Sequence, residues 1–268
     1  MQKKLSSVVA TCVLLAVSAC SWLPEKTDET KAWPVTKLYA EARSETDVGQ
    51  YDSAIKLWQR LETNYPFGNY ATQAQMEIAY LYYKTGDQAQ ALAATERFIR
   101  EHPTHPQVDY MYYLRGLISF NDQLGLLSMV YEQDPTERDP KATRESFAAF
   151  KALVDKFPNS KYTPDAIERL NYLINAMAQY EVHVANYYYR RGAYLASLNR
   201  AQGTLAEYQN APAREEALYL MMRNYEKLGM DDLRKDTERV FTKNYPDSKF
   251  TKGGAADRAW WKFWSSDK

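Results

Sequence analysis

The sequence predicts an all-α protein, a right-handed superhelical solenoid of about five helix pairs, and three observations carry that expectation. Glycines recur at a fixed period. Gly49-Gln50-Tyr51 and Gly86-Asp87-Gln88 stand 37 residues apart, as do Gly192-Ala193-Tyr194 and Gly229-Met230-Asp231. A proline follows the glycine by 17 positions in three of these four units, as Pro66, Pro103 and Pro246. An alanine precedes it by seven in three of four, as Ala42, Ala79 and Ala185, while Ala54 and Ala91 follow their glycines by five. No alternating run closed by Asn-Gly or Asp-Gly suggests a hairpin.

The spacing has a physical reason. A glycine ends the first helix of a pair where the backbone must take a positive φ. Small residues on either side of it let the two helices approach closely. The proline stops the second helix, because the residue before it is pushed out of the helical region. A helix pair repeated at this period is the pattern of the tetratricopeptide repeat.

Each unit can be drawn in order. The first runs from about Pro34 to Pro66 and the second from Tyr70 to Pro103. The third has Val108 to Asn121 as its first helix and Pro140 to Phe157 as its second, with an insertion over residues 122–139 between them. Asp139-Pro140 reads as a capping carboxylate followed by proline at the first helical position. The fourth unit starts at Thr163-Pro164-Asp165, again a cap and a proline, and runs unbroken to Arg191, about 40 Å at 1.5 Å per residue. The fifth covers Ala213 to Pro246. The N-terminal repeats then span 34–158 and the C-terminal repeats 159–250.

The two ends differ from the repeats. Lys3 and Lys4 precede an apolar run, Val8 to Ala16, that is too short to span a bilayer and closes on Val17-Ser18-Ala19-Cys20. This looks like a bacterial lipobox. Residues 1–19 are then a signal peptide cleaved after Ala19, and Cys20 receives a diacylglycerol and an N-acyl chain. Two or three chains anchor a domain stably, at about 0.8 kcal/mol per buried methylene. Ser21 stands where an aspartate would resemble the inner-membrane retention signal, which favours the outer membrane and its periplasmic face. Residues 20–33 are polar and read as a tether. At the other end, the tail 251–268 carries Trp260, Trp261 and Trp264 beside Arg258 and Lys262. Tryptophan in such density suits a helical cap, a partner or a bilayer surface.

Composition excludes several classes of function. Without the signal the only cysteine is Cys20, so no internal disulfide can form. Losing Lys3 and Lys4 leaves 32 basic against 34 acidic residues, and this near-neutral chain lacks the cationic excess that nucleic-acid binding needs. The three histidines form no metal motif. His102 and His105 lie in a proline-broken turn and read as exposed, and His183 stands alone on a helix. The sequence contains no phosphate-binding glycine loop, nucleophile elbow or paired metal-binding cysteines. No catalytic residue, metal ligand or cofactor other than the covalent lipid is expected.

Solenoids of this kind usually bind along a concave surface lined by first helices. Aligned on their glycines, the first unit offers Tyr39 and Arg43 and the second Met76, Tyr80 and Tyr83. If Gly116 takes the small-residue position, the third offers Tyr110, Tyr113 and Phe120. Such a groove suits an extended peptide with aromatic side chains, as in the last strand of a β-barrel. The alternative is a peptidoglycan-binding or cell-wall-remodelling periplasmic lipoprotein, since tyrosines also stack on sugars. A hydrolase of that class needs two opposed carboxylates about 5–10 Å apart, and the named groove positions hold none.

A lipobox followed by five such repeats, with a long insertion in the third, resembles the family of outer-membrane assembly lipoproteins called BamD or ComL. The more specific stretches are Asn64-Tyr65-Pro66-Phe67-Gly68, Arg138-Asp139-Pro140, Phe157-Pro158-Asn159-Ser160-Lys161-Tyr162, and Ala185-Asn186-Tyr187-Tyr188 leading through Arg191-Gly192-Ala193 to Asn199-Arg200. The resemblance implies a non-enzymatic scaffold in the β-barrel assembly (BAM) machinery. In that family the C-terminal repeats dock on the periplasmic domains of BamA, and the N-terminal repeats receive unfolded β-barrel precursors beside other BAM lipoproteins. Arg200 occupies the position of the arginine in the family's Asn-Arg motif, which is associated with the BamA contact. The tryptophan-rich tail has no counterpart in the family pattern.

Overall fold

The computed structural model describes residues 29–120 and 141–250. The signal, Cys20, most of the tether, the insertion 122–139 with its Asp139-Pro140 cap, and the tail 251–268 lie outside the described residues. The described residues form ten α-helices and no strand, preceded by a single 3-10 turn at Glu29–Ala32. They belong to two compact units, Met1–Leu81 and Tyr82–Lys268.

In the first unit, α1 (Val35–Asp47) and α2 (Tyr51–Asn64) pack against each other. Leu38, Ala42, Ala54, Trp58 and Leu61 are fully buried there. Ala42 and Ala54 flank Gly49 in sequence, as the spacing predicted. Helix α3 (Asn69–Thr85) begins in this unit and ends in the next.

In the second unit the helices follow as α4 (Gln88–Glu101), α5 (Val108–Ser119), α6 (Lys141–Lys156), α7 (Thr163–Arg190), α8 (Tyr194–Glu207), α9 (Arg214–Lys227) and α10 (Asp231–Asn244). From α4 onward each helix packs on its successor, and α7 also reaches α9. Helix α7 is one unbroken rod of 28 residues. Its N-terminal half shares an aromatic core with α5 and α6, around Val108, Tyr112, Phe150, Leu153, Ala166 and Leu173. Its C-terminal half packs through small residues, with Ala178, Val182 and Ala185 against Ala201 of α8 and Ala217 of α9.

The punctuating residues act as their chemistry demands. Gly49, Gly86, Gly192 and Gly229 take φ between +69° and +81°. In each case the amide after the glycine returns to a carbonyl five residues earlier, as in Gln50 N–H to Glu45 O at 2.9 Å and Met230 N–H to Tyr225 O at 2.9 Å. This Schellman closure needs a left-handed residue, and only glycine takes that conformation without a Cβ penalty. Gly116 serves a different end. A Cβ there would lie 2.4 Å from the Phe150 ring, so the missing side chain is what lets α5 and α6 meet. One expected cap differs. Thr163 is the first residue of α7, and its hydroxyl donates to the Phe157 carbonyl at 2.7 Å instead of capping the helix.

Candidate functional site

The groove predicted from sequence divides between the two units, and its members meet different fates. In the first unit, Tyr39 is half-buried, with its ring edge-on to Trp58 at 5.3 Å and to Tyr70 at 5.4 Å. Arg43 is exposed and bonded to Glu77 at 3.1 Å and Asp47 at 3.4 Å. Glu77 also accepts from Gln73. Met76 is a correction to the sequence reading. It is 5% exposed and belongs to the core, because the glycine register does not specify which way a residue beside the seam turns. Tyr80 is half-buried.

In the second unit, Tyr83 is half-buried. Neither Tyr80 nor Tyr83 has its phenol hydrogen-bonded among the described residues, so both keep a polar tip to offer a ligand. Tyr110 and Tyr113 both rest on Tyr162, and Tyr113 is stacked on it at 4.9 Å with planes 17° apart. The Tyr113 hydroxyl donates to Asp165 Oδ2 at 2.7 Å. The same oxygen accepts from Arg169 Nε at 2.6 Å, and the Arg169 guanidinium covers the Phe120 ring at 4.7 Å. Phe120 in turn meets Phe150 at 6.0 Å and Tyr172 at 5.8 Å. These rings belong to one network that joins α5 and the end of α5 to the start of α7.

The electrostatics of that network follow from its geometry. Burial and the hydrogen bond to Asp165 push the Tyr113 phenol up to about 12. Burial alone would raise the Asp165 carboxyl, but the bonds from Arg169 and Tyr113 outweigh it and hold the group below the usual carboxylate range. A phenol whose proton is so tightly held is a hydrogen-bond donor to its own protein rather than to a ligand.

Arg200 lies on α8 and is exposed, with its side chain 46% accessible. Its Nη1 donates to Glu181 Oε2 on α7 at 2.9 Å, and Glu181 is the more covered partner at 15%. The bond to Glu181 holds the guanidinium charge still more firmly. Sequence reasoning placed this arginine outward between buried Ser197 and Ala201, which the structure bears out. It did not find Glu181. With close to half of its side chain accessible, Arg200 can still meet a second acidic group.

Other residues missed from sequence are Tyr162, Asp165, Arg169 and Tyr172. One signal was available. Phe157-Pro158-Asn159-Ser160-Lys161-Tyr162-Thr163 recurs as Tyr245-Pro246-Asp247-Ser248-Lys249-Phe250-Thr251. In both copies the amide of the aromatic residue donates to the serine hydroxyl, and its ring stacks on a tyrosine five residues into a first helix, Tyr162 on Tyr113 and Phe250 on Tyr219. The two turn histidines also differ from expectation. His102 and His105 are half-buried against Phe98 at 5.0 and 5.4 Å, and burial followed by the neighbouring His102 lowers the His105 pKa. Among the described residues no group of three or more histidines, cysteines or carboxylates could hold a metal, and no helix is long and apolar enough to cross a membrane.

Comparison with known proteins bears on what this scaffold is for. Residues 31–241 match the YfiO family, described as an outer membrane lipoprotein. The outer membrane protein assembly factor BamD of Neisseria meningitidis serogroup A is 44% identical over 255 residues, covering 93% of this chain and 96% of that protein. The BamD proteins of Vibrio cholerae and Xylella fastidiosa are 34% and 35% identical and cover 86% and 93% of this chain, and 96% and 84% of their own lengths. A solved structure of kinesin light chain TPR-like repeats from Podosopora anserina covers 80% of this chain at 13% identity with a TM-score of 0.36, too low to bear on the fold, which rests on the helix pairs themselves. The helix pairs, the family match and the near end-to-end relatives agree: the chain belongs to the YfiO family of outer membrane lipoproteins, to which it is joined over more than three-quarters of its length.

Proposed function

We propose that this chain is a lipid-anchored, non-enzymatic subunit of the machinery that assembles β-barrel proteins in the outer membrane. The observation that carries the reading is its colinear likeness to proteins named as outer membrane protein assembly factors, over nearly the full length of both chains. In this reading Cys20 carries the lipid and holds the repeats at the periplasmic face. The N-terminal repeats receive unfolded barrel precursors, with Tyr80 and Tyr83 as contacts because no described residue hydrogen-bonds their phenols. The C-terminal repeats dock on the periplasmic domains of BamA through Arg200, and other lipoproteins of the assembly join them. The rigid guanidinium suits the docking role, since one edge is held by Glu181 while the others remain to bond an acidic partner bidentately.

The test is affinity purification of the lipidated chain from its own membranes. The expected result is recovery of a large β-barrel protein with periplasmic repeats, together with acyl label on the chain that Cys20→Ser abolishes. Recovery of peptidoglycan fragments without any β-barrel protein would overturn the reading in favour of a cell-wall role.

A further inference from the structure

Four of the five turns that follow a second helix close in the same way. The amide three residues past the helix cap returns to the cap carbonyl: His105 to His102 at 3.1 Å, Ser160 to Phe157 at 3.0 Å, Ala211 to Tyr208 at 3.2 Å and Ser248 to Tyr245 at 3.2 Å. Each of these closing residues is turned at least partly into the protein. The turn after α2 departs from the pattern. It runs Tyr65-Pro66-Phe67-Gly68, with Gly68 at φ +88°, and the Gly68 carbonyl already accepts the amide of Thr72, the fourth residue of α3. The turn is too short to tuck its middle residue inward. Phe67 is 89% exposed, the most exposed large apolar side chain among the described residues.

The exposure is held in place. The Tyr65 hydroxyl donates to the Trp33 carbonyl at 2.9 Å, so the turn is tied to the residue where the chain enters α1. The Lys37 ammonium covers the Trp33 ring at 4.0 Å, and Arg60 donates to Thr30 at 2.7 Å. Tyr70, at the start of α3, is 39% exposed. One end of the first unit therefore presents Phe67 on a pinned turn, with Trp33, Lys37 and Tyr70 belonging to the same end. That is also the end at which the segment from Cys20 arrives. Trp33 lies thirteen positions after Cys20, at most about 45 Å of extended chain.

From this juxtaposition we infer that Phe67 is a membrane-insertion residue: it enters the interfacial layer of the bilayer that holds the Cys20 lipid, with Trp33 and Lys37 at headgroup level. An exposed phenylalanine on a pinned turn beside a tryptophan and a cation has the composition of an interfacial anchor. A protein partner would need a socket shaped for one protruding ring. A bilayer needs no such fit. The inference rests on the lipid-anchor reading above, and its experiment separates the two.

The full-length lipidated chain carrying Phe67→Cys, labelled at that thiol with the environment-sensitive fluorophore NBD, is placed in phosphatidylethanolamine/phosphatidylglycerol vesicles. Cys20 is capped by lipid, so the new thiol is the one that reacts. A Lys227→Cys label on the exposed part of α9 is the control, and circular dichroism checks that both variants fold. The expected result is a blue-shifted emission at position 67 that nitroxide-headgroup lipids quench at least twofold more than at position 227. Water-like, unquenched emission at 67 while the protein floats with the vesicles overturns the inference. So does a blue shift that nitroxide lipids leave untouched and that appears only when a solubilised β-barrel partner is added, because Phe67 then meets protein. Should the chain fail to float with vesicles, the lipid-anchor reading fails by itself. The same labels on a Cys20→Ser background, with the chain held by an N-terminal hexahistidine tag on a nickel-chelating lipid, then decide whether position 67 enters the bilayer.

Discussion

The two halves of α7 sit in opposite kinds of packing. Its N-terminal half meets α5 and α6 through large rings, with Phe150 fully buried and Tyr113, Phe120 and Tyr162 around it. Its C-terminal half meets α8 and α9 through alanines that are buried to the last atom. The first arrangement consumes its aromatic and polar side chains in the contact itself. The second brings backbones close and leaves long polar side chains at the rim, where Arg200 bonds Glu181 and Asn186 donates to Glu216 at 2.7 Å. A surface meant for a partner is easier to build beside a small-residue seam, because less of each helix's polar face is spent on its neighbour.

The comparison breaks most severely at the large ring. Phe150→Ala removes the side chain that fills the space left by Gly116, and it should cost about 3–5 kcal/mol of stability. Urea unfolding followed by circular dichroism measures it, and a loss near zero would mean that the aromatic half collapses around the gap. The small-residue seam should break in the opposite direction. Ala201→Leu adds volume where α7, α8 and α9 meet, with an expected cost of about 1–3 kcal/mol, while the same substitution at exposed Ala206 should be nearly silent.

Binding sharpens the contrast. Arg200→Glu places a carboxylate against Glu181, so by itself it cannot separate a staple between α7 and α8 from a docking contact. Glu181→Gln removes the internal ion pair and keeps the arginine. With the Arg200 side chain 46% accessible, solvent screens the pair, and it should contribute no more than about 1 kcal/mol to the fold. The docking assignment expects Arg200→Glu to lose BamA in co-purification, a cost of about 2–5 kcal/mol if the contact is desolvated, and Glu181→Gln to retain it. Loss in both variants would assign the arginine to the staple. On the N-terminal side, replacing Tyr80 and Tyr83 together by alanine should weaken binding of a barrel C-terminal strand peptide by about tenfold, from roughly 0.5–1.5 kcal/mol for each lost aromatic contact. Fluorescence anisotropy with an intact helical signal reads this directly.

The smallest expected effect is on pH dependence. Tyr113 ordinarily titrates near 10.0 and is raised to about 12 in the folded protein, so the folded state holds the proton more tightly. That contribution is complete below about pH 10 and is lost as pH rises toward 12. Asp165 works on the acid side. Its depressed pKa contributes stability above the ordinary aspartate range that is lost as pH falls through the folded value. Tyr113→Phe should flatten the alkaline limb of a stability–pH curve and, by removing one donor to Asp165, shift the acid limb slightly upward in pH. Identical curves for the two proteins would detach both limbs from this pair.

What the sequence determined by itself is the path of the chain. The glycine period, the alanines on either side and the closing prolines act through local backbone conformation and the volume of a single side chain, so their consequences can be read without knowing any distant neighbour. Gly49, Gly86, Gly192 and Gly229 and buried Ala42, Ala79 and Ala185 all stand as their spacing requires. The direction of the tyrosines was not readable in that way. Met76 went to the core, Tyr113 and Phe120 went to α7, and Arg200 found Glu181, because each outcome depends on how one helix packs on others. A helical period can say that two side chains share a face of one helix. Only the packing of helices, with its competition between burial, stacking and hydrogen bonding, decides which of those faces is left for a partner.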